Sequence, residues 1–138
     1  MGEKRIFKVI GKNYHKLREK SQLKLSDDNI IKEIPKYSGV YVFYDKKRPL
    51  YVGISKNIHN RFKKHLSGSK KSSSSTLRAE LHKRRKIKYK DTRNWLLKNC
   101  TIKLIEIKHR DDALLFEHFL IKLWRKKYRK NLLNPYKW

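Results

Sequence analysis

Apolar residues between positions 39 and 54 come in two short runs, "GVYVFY" at 39–44 and "LYVGI" at 50–54, separated by the polar stretch 45–49. That pattern predicts two strands joined by a turn, an antiparallel hairpin. Side chains alternate along a strand, so Tyr41 and Phe43 project from one face of the first run and Tyr51 and Gly53 from one face of the second. Two tyrosines can therefore face one site. Downstream the period changes from two to four: Ile58, Phe62 and Leu66 form the stripe of a helix that Ser55 would cap, with Arg61 and His65 on one flank of that stripe. "TIKLIEI" at 101–107 predicts a third strand, and 111–128 a long helix opened by two acidic residues at its positive end. Between them, helices are expected at 76–85 and 92–98, joined by "KIKYK", which also reads as a short strand. The segment 67–75, "SGSKKSSSS", is too polar to pack and reads as a mobile basic loop. Residues 1–34 form a lysine-rich N-terminal extension with a short strand at 6–10 and a helix around 14–20, and residues 35–138 form the main domain. The expected class is α/β, a small antiparallel sheet of three strands flanked by helices.

Charge narrows the partners. The chain has 138 residues, a single domain's length, with 38 Lys and Arg against 12 Asp and Glu and a formal charge of +26. Such self-repulsion calls for a polyanion, and nucleic acid is the obvious one. No apolar run approaches the ~20 residues of a membrane-spanning helix, and no secretory segment opens the chain. Ile6 stands where a myristoylation signal wants Ser or Thr. An intracellular location, cytoplasmic or nucleoid-associated, is expected. The single cysteine, Cys100, rules out an internal disulfide or a cysteine zinc cluster and reads as a small core residue.

One carboxylate stands out on the last predicted helix. At 100° per residue, Leu120, Ala113, Trp124, Ile121 and Leu114 form an apolar arc, with His118, Lys122, Arg125 and Lys126 opposite. Glu117 falls inside the arc. A carboxylate there must be paired, protonated or bound to a cation. A structural salt bridge and a metal ligand are the two readings.

Taken together, these residues resemble the GIY-YIG nuclease superfamily. Gly39-Val40-Tyr41 and Tyr51-Val52-Gly53 stand for its two motifs, each with Val for the usual Ile. Arg61 and His65 follow on the next helix, then Glu117 on a later one and Asn134 near the C-terminus. The hairpin and helix are also similar to the nuclease module of bacterial excision repair. The resemblance spans roughly residues 35–135. It implies a metal-dependent endonuclease acting on DNA, of repair, recombination, restriction or homing type, with Mg²⁺ or Mn²⁺ held by Glu117. A single carboxylate suits a hydrated Mg²⁺ that takes its other ligands from water and substrate. Arg61 would hold phosphate, Tyr41 would take a proton from water with His65 and Arg61 favouring its phenolate, Tyr51 would orient water or phosphate, and Asn134 would fix its neighbours. Gly53 would let the DNA backbone approach, and Lys70, Lys71, Arg84, Arg85 and Lys86 would bind it. RNA is left open as a partner, as is a protein partner for targeting. Some members carry a further histidine where this chain has its Ser-rich segment. Singly, each residue has an ordinary reading: Tyr41 and Tyr51 as half-buried strand tyrosines, Arg61 and His65 as a solvated helix face, Asn134-Pro135 as a turn. The rival function is a non-catalytic basic nucleic-acid-binding protein, which the charge alone supports equally.

Overall fold

The computed structural model describes residues 2–25, 30–66 and 75–135. Its elements run α1 (Gly2–Glu19), β1 (Leu23–Lys24), α2 (Ile30–Glu33), β2 (Gly39–Asp45), β3 (Arg48–Ser55), α3 (Ile58–His65), α4 (Thr76–Arg85), α5 (Tyr89–Asn99), β4 (Cys100–Glu106) and α6 (Arg110–Lys127). The sheet has four strands, not three, in the order β1-β4-β2-β3 with every pair antiparallel. The extra strand is the two-residue β1, which pairs with Thr101 and Ile102 at the start of β4.

Alternation along the strands splits the core into two layers. Tyr41, Phe43, Tyr51, Ile102 and Leu104 face α3, α4 and α5, joined there by Ile58, Phe62, Leu77, Leu81 and Leu96. Val40, Val42, Tyr44, Val52 and Ile105 face the opposite way, against Leu17 of α1 and Ala113, Phe116, Leu120 and Trp124 of α6. The register matches Tyr41 with Gly53 and Phe43 with Tyr51, so the paired faces expected from the sequence do coincide. Between Phe43 and Tyr44 the register shifts, and this irregularity lets both Leu50 and Tyr51 reach the same layer. Cys100 is buried at the start of β4.

Several local expectations change. The strand foreseen at 6–10 lies inside α1, because Ile10, Asn13 and Leu17 recur at helical spacing and turn a common face inward, with Asn13 and Leu17 buried, while Ile6 stays exposed. The cap of α3 is Asn57, whose side chain accepts from the Asn60 N–H, while Ser55 Oγ accepts from the Asn57 N–H just ahead of the helix. "KIKYK" is no strand: Lys86 sits in the left-handed conformation at the end of α4, and α5 already begins at Tyr89. Among the described residues, no helix is long and apolar enough to cross a membrane.

The edge strand β3 is sealed by the chain that follows α6. The Leu133 N–H donates to the Leu50 carbonyl at 2.6 Å. Asn134 then stands in for a further strand residue: its Oδ1 accepts from the Val52 N–H at 2.9 Å and its Nδ2 donates to the Val52 carbonyl at 2.7 Å. Open strand edges invite unwanted pairing, and this segment covers one. The turn reading of Asn134 misses that role.

Candidate active site

Tyr41 lies at the centre of the site. Its side chain is buried and its hydroxyl is 2.6 Å from His65 Nε2. Space for the ring exists because Gly53 lies directly opposite: a Cβ at Gly53 would fall 2.2 Å from the Tyr41 oxygen and 2.3 Å from its Cζ. The glycine of the second motif is thus required by the tyrosine of the first. Gly53→Ala is expected to push the Tyr41 ring off His65, at a cost of about 1 to 3 kcal/mol for overpacking. Thermal melting, together with loss of the Tyr41–His65 contact in a crystal structure of the variant, checks this.

His65 is wholly buried rather than lying on a solvated flank. Its ring packs against Tyr41, Phe43, Tyr51 and Phe62. Nδ1 is 2.5 Å from Ser75 Oγ, so both ring nitrogens are engaged in one chain of hydrogen bonds, Ser75–His65–Tyr41. Burial first, then the Arg61 and Arg78 guanidinium groups, push the imidazole down to about 3, and the ring is neutral at physiological pH. Burial likewise holds the Tyr41 phenol well above its ordinary value, a trend that Tyr51 and Glu117 reinforce and Arg61 opposes.

Tyr51 carries the second hydroxyl. Burial and the Glu117 charge push it up to about 12, against a hydrogen bond from Thr76 and the nearby Arg61 cation. Arg61 and Glu117 therefore converge on the same two tyrosines from different helices, α3 and α6, across the β3 edge. Glu117 is not in the fully buried stripe of α6, where Phe116 stands instead; its side chain keeps 17% of its exposure, with His118 Nε2 at 3.9 Å. The carboxylate is reachable from solvent. Among the described residues no group of three His, Cys, Asp or Glu forms a metal cage, and both His65 nitrogens are occupied. The donor set of one accessible carboxylate fits a hard, largely hydrated cation and not a tightly caged one.

Sequence reasoning passed over the first turn of α4. Ser75 caps that helix by accepting from the Arg78 N–H while also holding His65, and Thr76 holds Tyr51. Positive partial charge at the helix N-terminus lies beside the Tyr51 and His65 rings that Thr76 and Ser75 hold. Arg78 is completely buried, donating from Nε to Thr92 Oγ1 at 2.7 Å and from Nη2 to the Tyr89 carbonyl at 2.8 Å, and so ties α4 to α5. Glu80, one turn beyond Thr76, adds a second negative charge felt by Tyr51.

Tyr41, Tyr51, Arg61, His65 and Glu117 are thus brought together, with Asn134 beside them on Val52. Arg84, Arg85 and Lys86 lie at the far end of α4, about 13 Å along the helix from Thr76. There Arg84 donates to the Leu132 carbonyl, Arg85 donates to Asn131 and lies near Asp45, and Lys86 ends the helix. The first two brace the edge-sealing segment. Lys70 and Lys71 lie outside the described residues.

A family model described as the GIY-YIG catalytic domain matches residues 37–131. UvrABC system protein C of Helicobacter pylori strain P12 is 31% identical over 99 residues, which is 71% of this chain and 15% of that protein. The protein of strain G27 gives the same figures. The chain spans about 15% of the length of these curated relatives. The GIY-YIG N-terminal endonuclease domain of UvrC from Thermotoga maritima, bound to its catalytic divalent cation magnesium, aligns over 72% of this chain and 93% of that one, with 22% identity and a TM-score of 0.48.

Proposed function

The chain belongs to the GIY-YIG catalytic-domain family, and from that premise we propose that it is a divalent-metal-dependent endonuclease hydrolysing phosphodiester bonds in DNA. The observation that carries the reading is the convergence of a guanidinium, a carboxylate and a buried phenol–imidazole pair on one sheet edge. A protein that only bound nucleic acid would have no use for Glu117 among so many cations.

Phosphodiester hydrolysis needs a deprotonated water, neutralisation of charge on the phosphate and help for the leaving oxygen. Arg61 suits the second task, with a permanently charged planar fork for phosphate oxygens. Glu117 would hold Mg²⁺ or Mn²⁺, which when bound supplies Lewis acidity at the phosphate. The neutral His65 supports a particular proton route. With the ring proton on Nδ1 and donated to Ser75, Nε2 accepts the Tyr41 O–H, and the Tyr41 oxygen can take a proton from water as its own passes to His65. Burial disfavours an isolated Tyr41 phenolate and an isolated His65 imidazolium alike, so the proton would have to move along the pair together with neutralisation of the site by bound phosphate and cation. His65 is depressed first by burial and then by Arg61 and Arg78, and phosphate bound at Arg61 would offset one of those two cations and raise the imidazole's basicity when substrate is present. Tyr51 would orient the phosphate or water from its place between Thr76 and Glu117, and Asn134 would keep β3 in register beneath them.

Purified protein incubated with supercoiled, linear, branched and single-stranded DNA, with and without Mg²⁺ or Mn²⁺, tests the proposal. Cleavage of at least one substrate is expected, dependent on the metal. Binding to all of them with no cleavage under any condition would instead make the chain a basic nucleic-acid-binding protein.

A further inference from the structure

A groove of about 1450 Å³ runs between the outer face of α6 and α4, floored by Leu132, Asn134 and Pro135. Its walls carry six cations, Lys83 and Arg84 from α4, Lys122, Arg125 and Lys126 from α6, and Arg129 from the turn that follows it. Two of the six are spent on the floor. Arg84 donates to the Leu132 carbonyl, and Arg125 donates to the Asn134 and Pro135 carbonyls, so the edge-sealing segment is held from both sides. The other four, Lys83, Lys122, Lys126 and Arg129, are exposed. Lys122 and Lys126 are one turn apart on α6, a rise of ~6 Å, and Arg129 follows in the turn just past the end of that helix. The inner end of the groove meets the site: Asn134 is bonded to Val52 beside Tyr51, and Glu80 of the α4 wall is felt by Tyr51.

Compare the second groove, between α1 and the end of β4, where Lys12, Lys16 and Lys20 are set against Glu106 and Asp112. There the charges are mixed. In the first, Glu80 is the single acid among the described lining residues, and it lies where the groove joins the site.

We infer that the α4–α6 groove carries the phosphate backbone of duplex DNA flanking the position of cleavage, with Lys83, Lys122, Lys126 and Arg129 as its phosphate contacts. This rests on the nuclease reading for its orientation but not for its measurement. A row of like charges spaced by helical turns along one wall matches a ligand with regularly repeated anionic groups, and a groove walled on both sides focuses that field. Arg84 and Arg85, expected to bind DNA at the end of α4, also brace the edge-sealing segment, and the groove extends the binding track from the tip of α4 along its side.

The test compares two variants of equal charge change in the full chain. One is Lys122→Ala/Lys126→Ala/Arg129→Ala; the other is Lys4→Ala/Lys8→Ala/Lys12→Ala, on exposed positions of α1. Binding of a fluorescent 25-bp duplex is followed by anisotropy in Ca²⁺, which holds a complex without requiring turnover, across a salt series. Each phosphate contact contributes about 0.9 to the slope of log affinity against log salt. The groove variant should flatten the slope by about 2 to 3 and the α1 variant by less than 1. Lys122→Arg/Lys126→Arg should keep the wild-type slope. Equal flattening by both variants, or a larger effect from α1, overturns the groove. Cleavage assays on the same preparations separate the premises: a wild-type protein that binds through the groove but never cuts removes the nuclease reading and leaves the groove standing. One that cuts while both triple variants bind alike does the reverse.

Discussion

Glu117→Gln is expected to abolish DNA cleavage at every Mg²⁺ or Mn²⁺ concentration while leaving the melting temperature near that of the wild type. The substitution keeps the shape and removes the charge on which a hard cation depends. At 17% side-chain exposure the group is neither sealed in the core nor free in solvent, so an amide is tolerated there at little cost. DNA binding should hold or strengthen, since one repulsive charge is lost beside a phosphate site. The salt-bridge reading predicts the opposite pair of results. Removing the acid would strand a partly buried cation and destabilise the fold by ~3 kcal/mol or more, with no direct effect on chemistry. Melting and cleavage measured on one preparation decide between them, and a variant that melts early yet still cuts ends the metal assignment.

What the sequence discloses about the site follows from what each residue's neighbours are. The hairpin was legible because the alternation of 39–44 and 50–54 fixes which side chains share a face, and the register Tyr41–Gly53 then follows from a short turn. The stripe Ile58, Phe62, Leu66 was legible for the same local reason, and all three are buried. Contacts made across long stretches of chain were not. Ser75 is one serine in a serine run, and only the fold brings it to His65; its position before Thr76 and the helically spaced Leu77 and Leu81 is the capping signal that could have marked it. In a chain with 38 Lys and Arg residues, nothing local marks Arg78 as the one that is buried among the described residues. The run 6–10 holds the β-branched Ile6, Val9 and Ile10, whose weak strand preference is overridden by the helical spacing of Ile10, Asn13 and Leu17. β1, with two exposed residues, has no periodicity to read.

The acid sensitivity of the fold should be dominated by a single imidazole. His65 ionises near 6.5 in the unfolded chain and is pushed down to about 3 in the folded protein, chiefly by burial and secondarily by Arg61 and Arg78. Above pH 6.5 it is neutral in both states and costs nothing. Below that pH the unfolded chain takes up a proton that the folded protein refuses, so stability falls as pH drops. The slope is about 1.4 kcal/mol per pH unit. Over the window from 6.5 to about 3 the loss amounts to roughly 4 kcal/mol, a large share of a small domain's stability. His65→Gln retains an amide able to meet the Tyr41 hydroxyl and Ser75 Oγ but has nothing to protonate. Its stability should be lower than wild type at pH 7.5, because the ring packing is lost. The difference should shrink as the pH is lowered, and the two proteins' curves should converge or cross before pH 4. Urea unfolding of both, at half-unit steps of pH, gives the comparison, with the carboxylates common to both chains cancelling in the difference. A gap that stays constant across the window would mean that His65 takes up its proton as readily in the folded protein as in the unfolded chain, and the buried imidazole would not be the source of the acid sensitivity.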